Sequence, residues 1–176
     1  VSVIDINNDG LMDMYVCAST WQDPTLRKNI LYVNQGFKGN TGIPYFKDMA
    51  AEYGLDDTTS THMAAFFDYD NDGDLDVYLL VNDLNQERPN TFRPVKKDGS
   101  GQTTDRLYRN EYNAALKHAV FTNVSKEAGI TWEGYGLGVN IVDINKDGYK
   151  DIFISNDYLS GDLLYINNRN GTFTNH

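Results

Sequence analysis

A disulfide framework is the first thing this chain rules out: its 176 residues contain one cysteine, Cys17. A lone thiol has no partner in its own chain, and Cys17 reads as a small apolar residue buried in a strand. Histidine is almost as scarce. His62, His118 and His176 are scattered with no H-x-x-x-H spacing, so a zinc site is not expected. Basic residues are outnumbered, with 15 Lys and Arg against 25 Asp and Glu and a net charge of −10. No basic stripe or stacking platform offers itself to a phosphate backbone, which argues against nucleic-acid binding. No apolar run is long enough to span a bilayer, and no signal peptide is visible. There is no G-x-S-x-G, P-loop or dinucleotide fingerprint. Glu52, Glu111, Glu127 and Glu133 show no pairing suited to glycoside hydrolysis. No catalytic residues are assigned, and the chain reads as a non-enzyme.

What the chain has instead is one nine-residue pattern, D-x-[N/D]-x-D-G-x-x-D, written three times, at 5–13, 68–76 and 143–151. Oxygen-bearing side chains stand at positions 1, 3, 5 and 9: Asp5, Asn7, Asp9 and Asp13; Asp68, Asp70, Asp72 and Asp76; Asp143, Asn145, Asp147 and Asp151. A hard cation such as calcium takes six to eight oxygens, and glycine at position 6 permits the sharp turn that brings a backbone carbonyl round. An Asp-Gly hairpin turn alone would account for positions 5 and 6. It does not account for Asp at positions 1 and 9, nor for three to five acids crowded together without a counter-ion. Metal binding is therefore expected, about three ions, with calcium preferred over magnesium for its ligand number and flexibility.

An EF-hand would carry Glu at position 12 and run on into a helix. Here position 12 is Val16, Leu79 and Ile154, inside β-branched and aromatic runs that favour strand. Residues 1–4, 64–67 and 139–142 also read as short strands. Each loop is thus expected to join two strands. A dockerin-like module, with helices after the loops, is the competing reading.

The repeat extends beyond the loop. Asp5 and Asp68 are 63 residues apart, and Asp68 and Asp143 are 75 apart. A second block, [N/D]-x-L-Y-x-N, recurs at 29–34, 105–110 and 162–167. A third recurs at 46–55 and 121–130 and begins again at Phe173. Four short antiparallel strands per repeat suggest all-β propeller blades, at about 1–55, 56–130 and 131–176. Single helical turns are expected over 48–53 and 123–128, each stopped by glycine, Gly54 and Gly129. Residues 83–104 read as a polar surface insertion carrying Pro89, Pro94 and the cations Arg88, Arg93, Lys96 and Lys97, with a solvated loop preferred over a partner contact. Aligned aromatics (Tyr15, Tyr78 and Phe153; Tyr32, Tyr108 and Tyr165) read as packing between blades.

These ordered blocks, with A-A-F-F-D-Y-D-N-D-G-D-L-D-V-Y at 64–78, L-Y-R-N at 107–110 and F-T-N-V-S-K-E-A-G-I at 121–130, resemble the FG-GAP/VCBS repeats of integrin-like calcium-loop propellers. They are especially similar to propellers that precede an ASPIC/UnbV domain. The resemblance implies a seven- or eight-bladed propeller, of which about three blades are present. It also implies ligation through positions 1, 3, 5 and 9 together with the backbone carbonyls of Leu11, Asp74 and Tyr149. Asn at position 3 lowers the ligand charge of the first and third loops.

Three blades leave two radial faces to be covered by further blades or by neighbouring subunits. Three bound calcium ions would bring the net charge to about −4, so the acidity belongs mostly to the loops. Such loops suit millimolar calcium and an extracellular, cell-surface or periplasmic place. The expected role is a scaffold or a protein- or glycan-binding surface. Trp21, Trp132 and Tyr135, which lie outside the strict repeat, are candidates for ligand contact. The alternative is part of a propeller enzyme with its active site elsewhere.

Overall fold

The structure is a computed structural model that describes residues 1–21, 23–83, 94–157 and 160–176. β-Branched and aromatic residues flank each acidic loop, and each loop joins two antiparallel strands. The strands are β1 (Ser2–Ile4), β2 (Asp13–Val16), β3 (Ile30–Phe37) and β4 (Pro44–Asp48), then β5 (Thr61–Phe67), β6 (Asp76–Val81), β7 (Arg106–Asn113) and β8 (His118–Asn123), and finally β9 (Gly136–Val142), β10 (Asp151–Asn156), β11 (Leu163–Asn167) and β12 (Phe173–Asn175). Among the described residues they form three four-stranded sheets in simple sequence order, with every named pairing antiparallel. The fold is all-β and its sheets are propeller-like blades. Strand, not helix, follows every loop, which removes the dockerin-like reading.

The blades stack face to face. One core lies between the first and second sheets and includes Tyr15, Leu31, Val33, Val77, Leu79 and Tyr108. The other lies between the second and third and includes Tyr78, Leu80, Leu107, Ile152, Ile154 and Tyr165. Strand β6 explains how one sheet serves both. All six of its residues are buried, and the period-2 alternation of a strand sends Val77 and Leu79 one way and Tyr78 and Leu80 the other. At the inner edge the first strands of successive sheets meet. The Ser2 hydroxyl donates to the Ala64 carbonyl at 2.7 Å, from β1 to β5. Asn82, just after β6, donates to the Gly136 carbonyl of β9 at 3.1 Å.

One of the two expected helical turns forms as a helix and the other does not. Residues Ala50–Tyr53 are an α-helical turn, α1, ended by left-handed Gly54. At the matching place Ala128 N–H donates to Val124 and Ile130 N–H to Ser125, both at 2.8 Å, but the segment is a hydrogen-bonded turn, not a helix.

Four expectations change. Cys17 is half-buried, not enclosed, although it packs against the first core. Tyr32 and Phe153, read as inter-blade packing residues, lie on the outward faces of the first and third sheets. Phe153 is 38 % exposed. Of the stretch read as a solvated insertion, residues 84–93, with Arg88, Pro89 and Arg93, lie outside the described residues. Its later part docks on the segment leading to β9. Gly99 N–H donates to Thr131 at 2.9 Å, Glu133 N–H to Lys96 at 2.9 Å, and Thr104 forms a β-bridge with Glu133. Trp132 packs on the core and carries the Lys97 ammonium 3.7 Å from its ring centre, so it is committed to internal contact. Trp21 is exposed.

Candidate metal centres

Each loop is built on two left-handed residues. Position 6 is Gly10, Gly73 or Gly148, and position 4 is Asn8, Asn71 or Lys146, with φ of 56°, 62° and 61° respectively. The glycines were legible from the motif. The strained fourth position was not, because two asparagines and a lysine share no side-chain chemistry. Asparagine tolerates this region and lysine does so at a cost.

These two reversals fold the loop's N–H groups inward onto its own acids. In the first loop Asp5 accepts from Asp9 N–H at 3.1 Å and Gly10 N–H at 2.9 Å, and Asp9 accepts from Leu11 N–H at 2.8 Å. The third loop repeats this, with Asp143 accepting from Asp147 and Gly148 and Asp147 from Tyr149, at 2.9–3.0 Å. In both, the position-3 asparagine turns its amide N–H to the position-5 carboxylate at 3.0 Å: Asn7 to Asp9 and Asn145 to Asp147. The Arg169 guanidinium also pairs with Asp147 at 2.9 Å. The Tyr149 N–H, with further help from Arg169, holds the Asp147 carboxyl below its usual range. The first and third loops therefore satisfy much of their own charge.

The second loop does not. Asp70 stands where the others have asparagine, so no amide hydrogen faces Asp72. Asp74 adds a fifth acid. Gly73 N–H donates to Asp68 at 3.0 Å and Asp74 N–H to Asp72 at 3.0 Å, yet one buried oxygen on each of Asp68, Asp70 and Asp74 has no hydrogen-bond partner. Ligand oxygens of Asp68, Asp70 and Asp76 lie within 4.8 Å of one another. Burial, reinforced by neighbouring carboxylates, pushes Asp74 up to about 6 and Asp76 up to about 7, and raises Asp70 for the same reasons. An unpartnered buried oxygen is costly, and several on adjacent acids are costlier. A divalent cation is the group that would satisfy those of Asp68 and Asp70. On this donor set the second loop fits a calcium ion better than the other two.

The ninth-position acids have a second task that the motif does not announce. Asp13, Asp76 and Asp151 are fully buried. One oxygen of each accepts the N–H of loop position 2: Ile6 at 3.0 Å, Tyr69 at 3.1 Å and Ile144 at 2.9 Å. The other accepts the N–H of the asparagine closing L-Y-x-N: Asn34 at 2.7 Å, Asn110 at 2.8 Å and Asn167 at 2.8 Å. Those asparagine amides reach back to the residue before the acid, Met12, Leu75 or Lys150, at 3.1–3.2 Å. Asn167 also reaches the preceding blade, where it donates to the Tyr69 carbonyl in the second loop at 2.7 Å. The two recurring blocks are thus one unit, with the third strand locking the loop. The recurrence of asparagine was visible in the sequence. Its partner was not.

The recurrence of the first residue of that block was visible too, but not its role. Asn29, Asp105 and Asp162 each accept a backbone N–H from the chain leaving the second strand of the sheet: Ala18 at 2.8 Å, Val81 at 2.8 Å and Asn156 at 2.9 Å. Asp105 also accepts from the Tyr78 hydroxyl at 2.6 Å, and burial lifts its carboxyl to about 7.

Among known proteins, residues 5–79 match the family model described as an FG-GAP-like repeat. The match spans the first loop, the strands and turn that follow it, and the second loop with the first residues of β6. Among curated proteins no sequence matches the chain.

Proposed function

We propose that this chain, which carries FG-GAP-like repeat sequence on propeller-like blades, is a calcium-stabilised scaffold acting outside the cytosol, where it presents a surface to a protein or glycan partner. The observation that carries the calcium reading is the pair of buried carboxylate oxygens on Asp68 and Asp70 that no hydrogen bond satisfies, in a cluster with Asp76 whose oxygens lie within 4.8 Å of one another. Asp68, Asp70, Asp72 and Asp76, with the Asp74 carbonyl, would hold that ion. Asp5, Asn7, Asp9, Asp13 and the Leu11 carbonyl, and Asp143, Asn145, Asp147, Asp151 and the Tyr149 carbonyl, would hold two weaker ones. The ion's part is structural. It cancels like-charge repulsion in a loop whose ninth residue is hydrogen-bonded to the third strand, and binding to the folded state alone stabilises that state by mass action. The extracellular placement follows from the affinity such loops need, and a non-enzymatic role from the lack of a catalytic constellation in the sequence.

The test is a thermal melt with calcium, with magnesium and with excess chelator. Calcium should raise the midpoint and the chelator lower it reversibly, with magnesium far less effective at the same concentration. A midpoint indifferent to exhaustive chelation would sink the proposal. Titration calorimetry of the chelated protein should resolve one tight event and two weaker ones.

A further inference from the structure

The first and third loops carry the same side-chain donors, Asp5, Asn7, Asp9 and Asp13 against Asp143, Asn145, Asp147 and Asp151. They also fold their N–H groups onto them in the same way. The third loop has a guanidinium on it as well. Arg169, in the turn between β11 and β12, places its Nε 2.9 Å from the Asp147 oxygen that already accepts from Asn145. The Asp147 side chain is left 7 % exposed. Asp72, at the same place in the middle blade, is an exposed residue.

The repeat shows that this arginine is particular to the third blade. Two residues after the asparagine that closes L-Y-x-N stand Gly36, Tyr112 and Arg169. Gly36 and Arg169 take the same local fold. Each donates its N–H to the side-chain oxygen of that asparagine, at 2.9 Å and 2.8 Å, and both are left-handed, at φ of 80° and 63°. Glycine adopts this conformation freely and arginine at a cost. A strained residue where the first blade uses glycine points to a task for its side chain. What that side chain touches is the fifth-position acid of the loop.

We propose that Arg169 is a built-in counter-ion of the third loop, held on Asp147 where calcium would bind, and that calcium must displace it there. This rests on the reading of the loops as calcium sites. A guanidinium has only donors and no lone pair to give a metal ion, so on Asp147 it competes with the ion and repels it. Room for the displaced group lies beside it. Arg169 lines a cleft of about 610 Å³ between the second and third blades, with Asp70, Asp72 and Glu127 and with Arg109, which pairs with Glu111. The guanidinium therefore keeps acidic neighbours when it leaves Asp147. Lys146 and Lys150 also belong to the third loop, so the effect of Arg169 is read from its own substitution and not from comparison with the first loop.

Titration calorimetry of the chelated protein with calcium tests this, with far-UV circular dichroism as the check on folding. Arg169→Gln removes the charge and keeps a polar side chain in the left-handed position. Arg169→Gly removes the side chain and the strain together. Asp143→Asn disables the third loop and so identifies its event in the titration, and Asp147→Asn serves in its place if that variant misfolds. Arg169→Gln and Arg169→Gly should each tighten one calcium event on the order of tenfold, and it should be the event that Asp143→Asn removes. In chelator, Arg169→Gln should lower Tm by about 1–3 °C because Asp147 loses its counter-ion, and saturating calcium should cancel that loss. Tighter binding in Arg169→Gly but not in Arg169→Gln overturns the proposal, since strain and not charge then governs the site. An unchanged third event in both variants also overturns it, while binding at the other loops leaves the calcium reading standing. No calcium bound by wild type or variants overturns that reading and this inference together.

Discussion

Gly54 lies so close to the carbonyl oxygen of Phe121 that a β-carbon on it would sit 2.5 Å away, and Gly129 meets Phe173 in the same way at 2.6 Å. These glycines do two jobs. Left-handed φ values of 74° and 82° end their turns, and the missing side chain lets the fourth strand of the following blade come into contact. Gly129's neighbour Ala128 then accepts the N–H of Phe173 at 2.8 Å.

Gly54→Ala should therefore cost more than a left-handed glycine with open space around it. Gly36, at φ of 80° and with no atom within 4 Å of where a β-carbon would stand, supplies the control. Gly36→Ala is expected to lose about 1 kcal/mol from backbone strain alone. Gly54→Ala should lose that and roughly 2 kcal/mol more, because a backbone carbonyl must move. Denaturant melts of the two variants give the difference directly, and equal losses would count against the close blade contact.

Asp70→Asn tests why the second loop differs. The substitution restores the amide that Asn7 and Asn145 direct at their neighbouring carboxylates and removes one charge. The metal-free protein should become more stable while the calcium-induced rise in Tm shrinks, with affinity at that loop weakened on the order of tenfold. Melts with and without chelator read both effects.

Acidity should act on the metal-free protein in an unusual direction. Asp74, at about 6, and Asp76 and Asp105, at about 7, are all raised above the ordinary aspartate value of 3.8 by burial first. The folded state therefore binds protons that the unfolded state has released. Its stability is greatest below about 4 as far as these groups are concerned, and is lost as pH rises from there through 7. In chelator, stability should fall as the pH is taken from about 5 to about 7.5. Calcium should reverse that slope for Asp74 and Asp76, and Asp105→Asn should remove the part that calcium leaves. Asn29 already fills the equivalent place, donating to the Tyr15 hydroxyl at 2.9 Å.

Lys146 holds a left-handed conformation that asparagine holds in the other two loops. Lys146→Asn should stabilise the protein by about 0.5–1 kcal/mol in chelator, measured by denaturant melts.

The two cores between the blades follow a pattern that was partly readable. The aligned aromatic positions announced packing between blades, because their recurrence is visible in the sequence. That Tyr78 and Tyr165 would be enclosed while Phe153 and Tyr32 would not depends on which blades stand beside them, and local pattern carries no information about neighbours. Position 9 shows the same division. Its acid was legible as an oxygen donor. Of its two N–H partners, one belongs to the second residue of the same loop and the other to the third strand, 16 to 34 residues further along.

By itself the sequence determined the three acidic loops, the strands on either side of them, the three-block repeat and the glycines that stop the turns, because each rests on spacing and on backbone freedom within a few residues. Tertiary structure alone decided that the second loop is left with unsatisfied oxygens and that L-Y-x-N clamps the loop. Those are matters of burial and of partners distant in sequence, which exist only once the sheets have stacked.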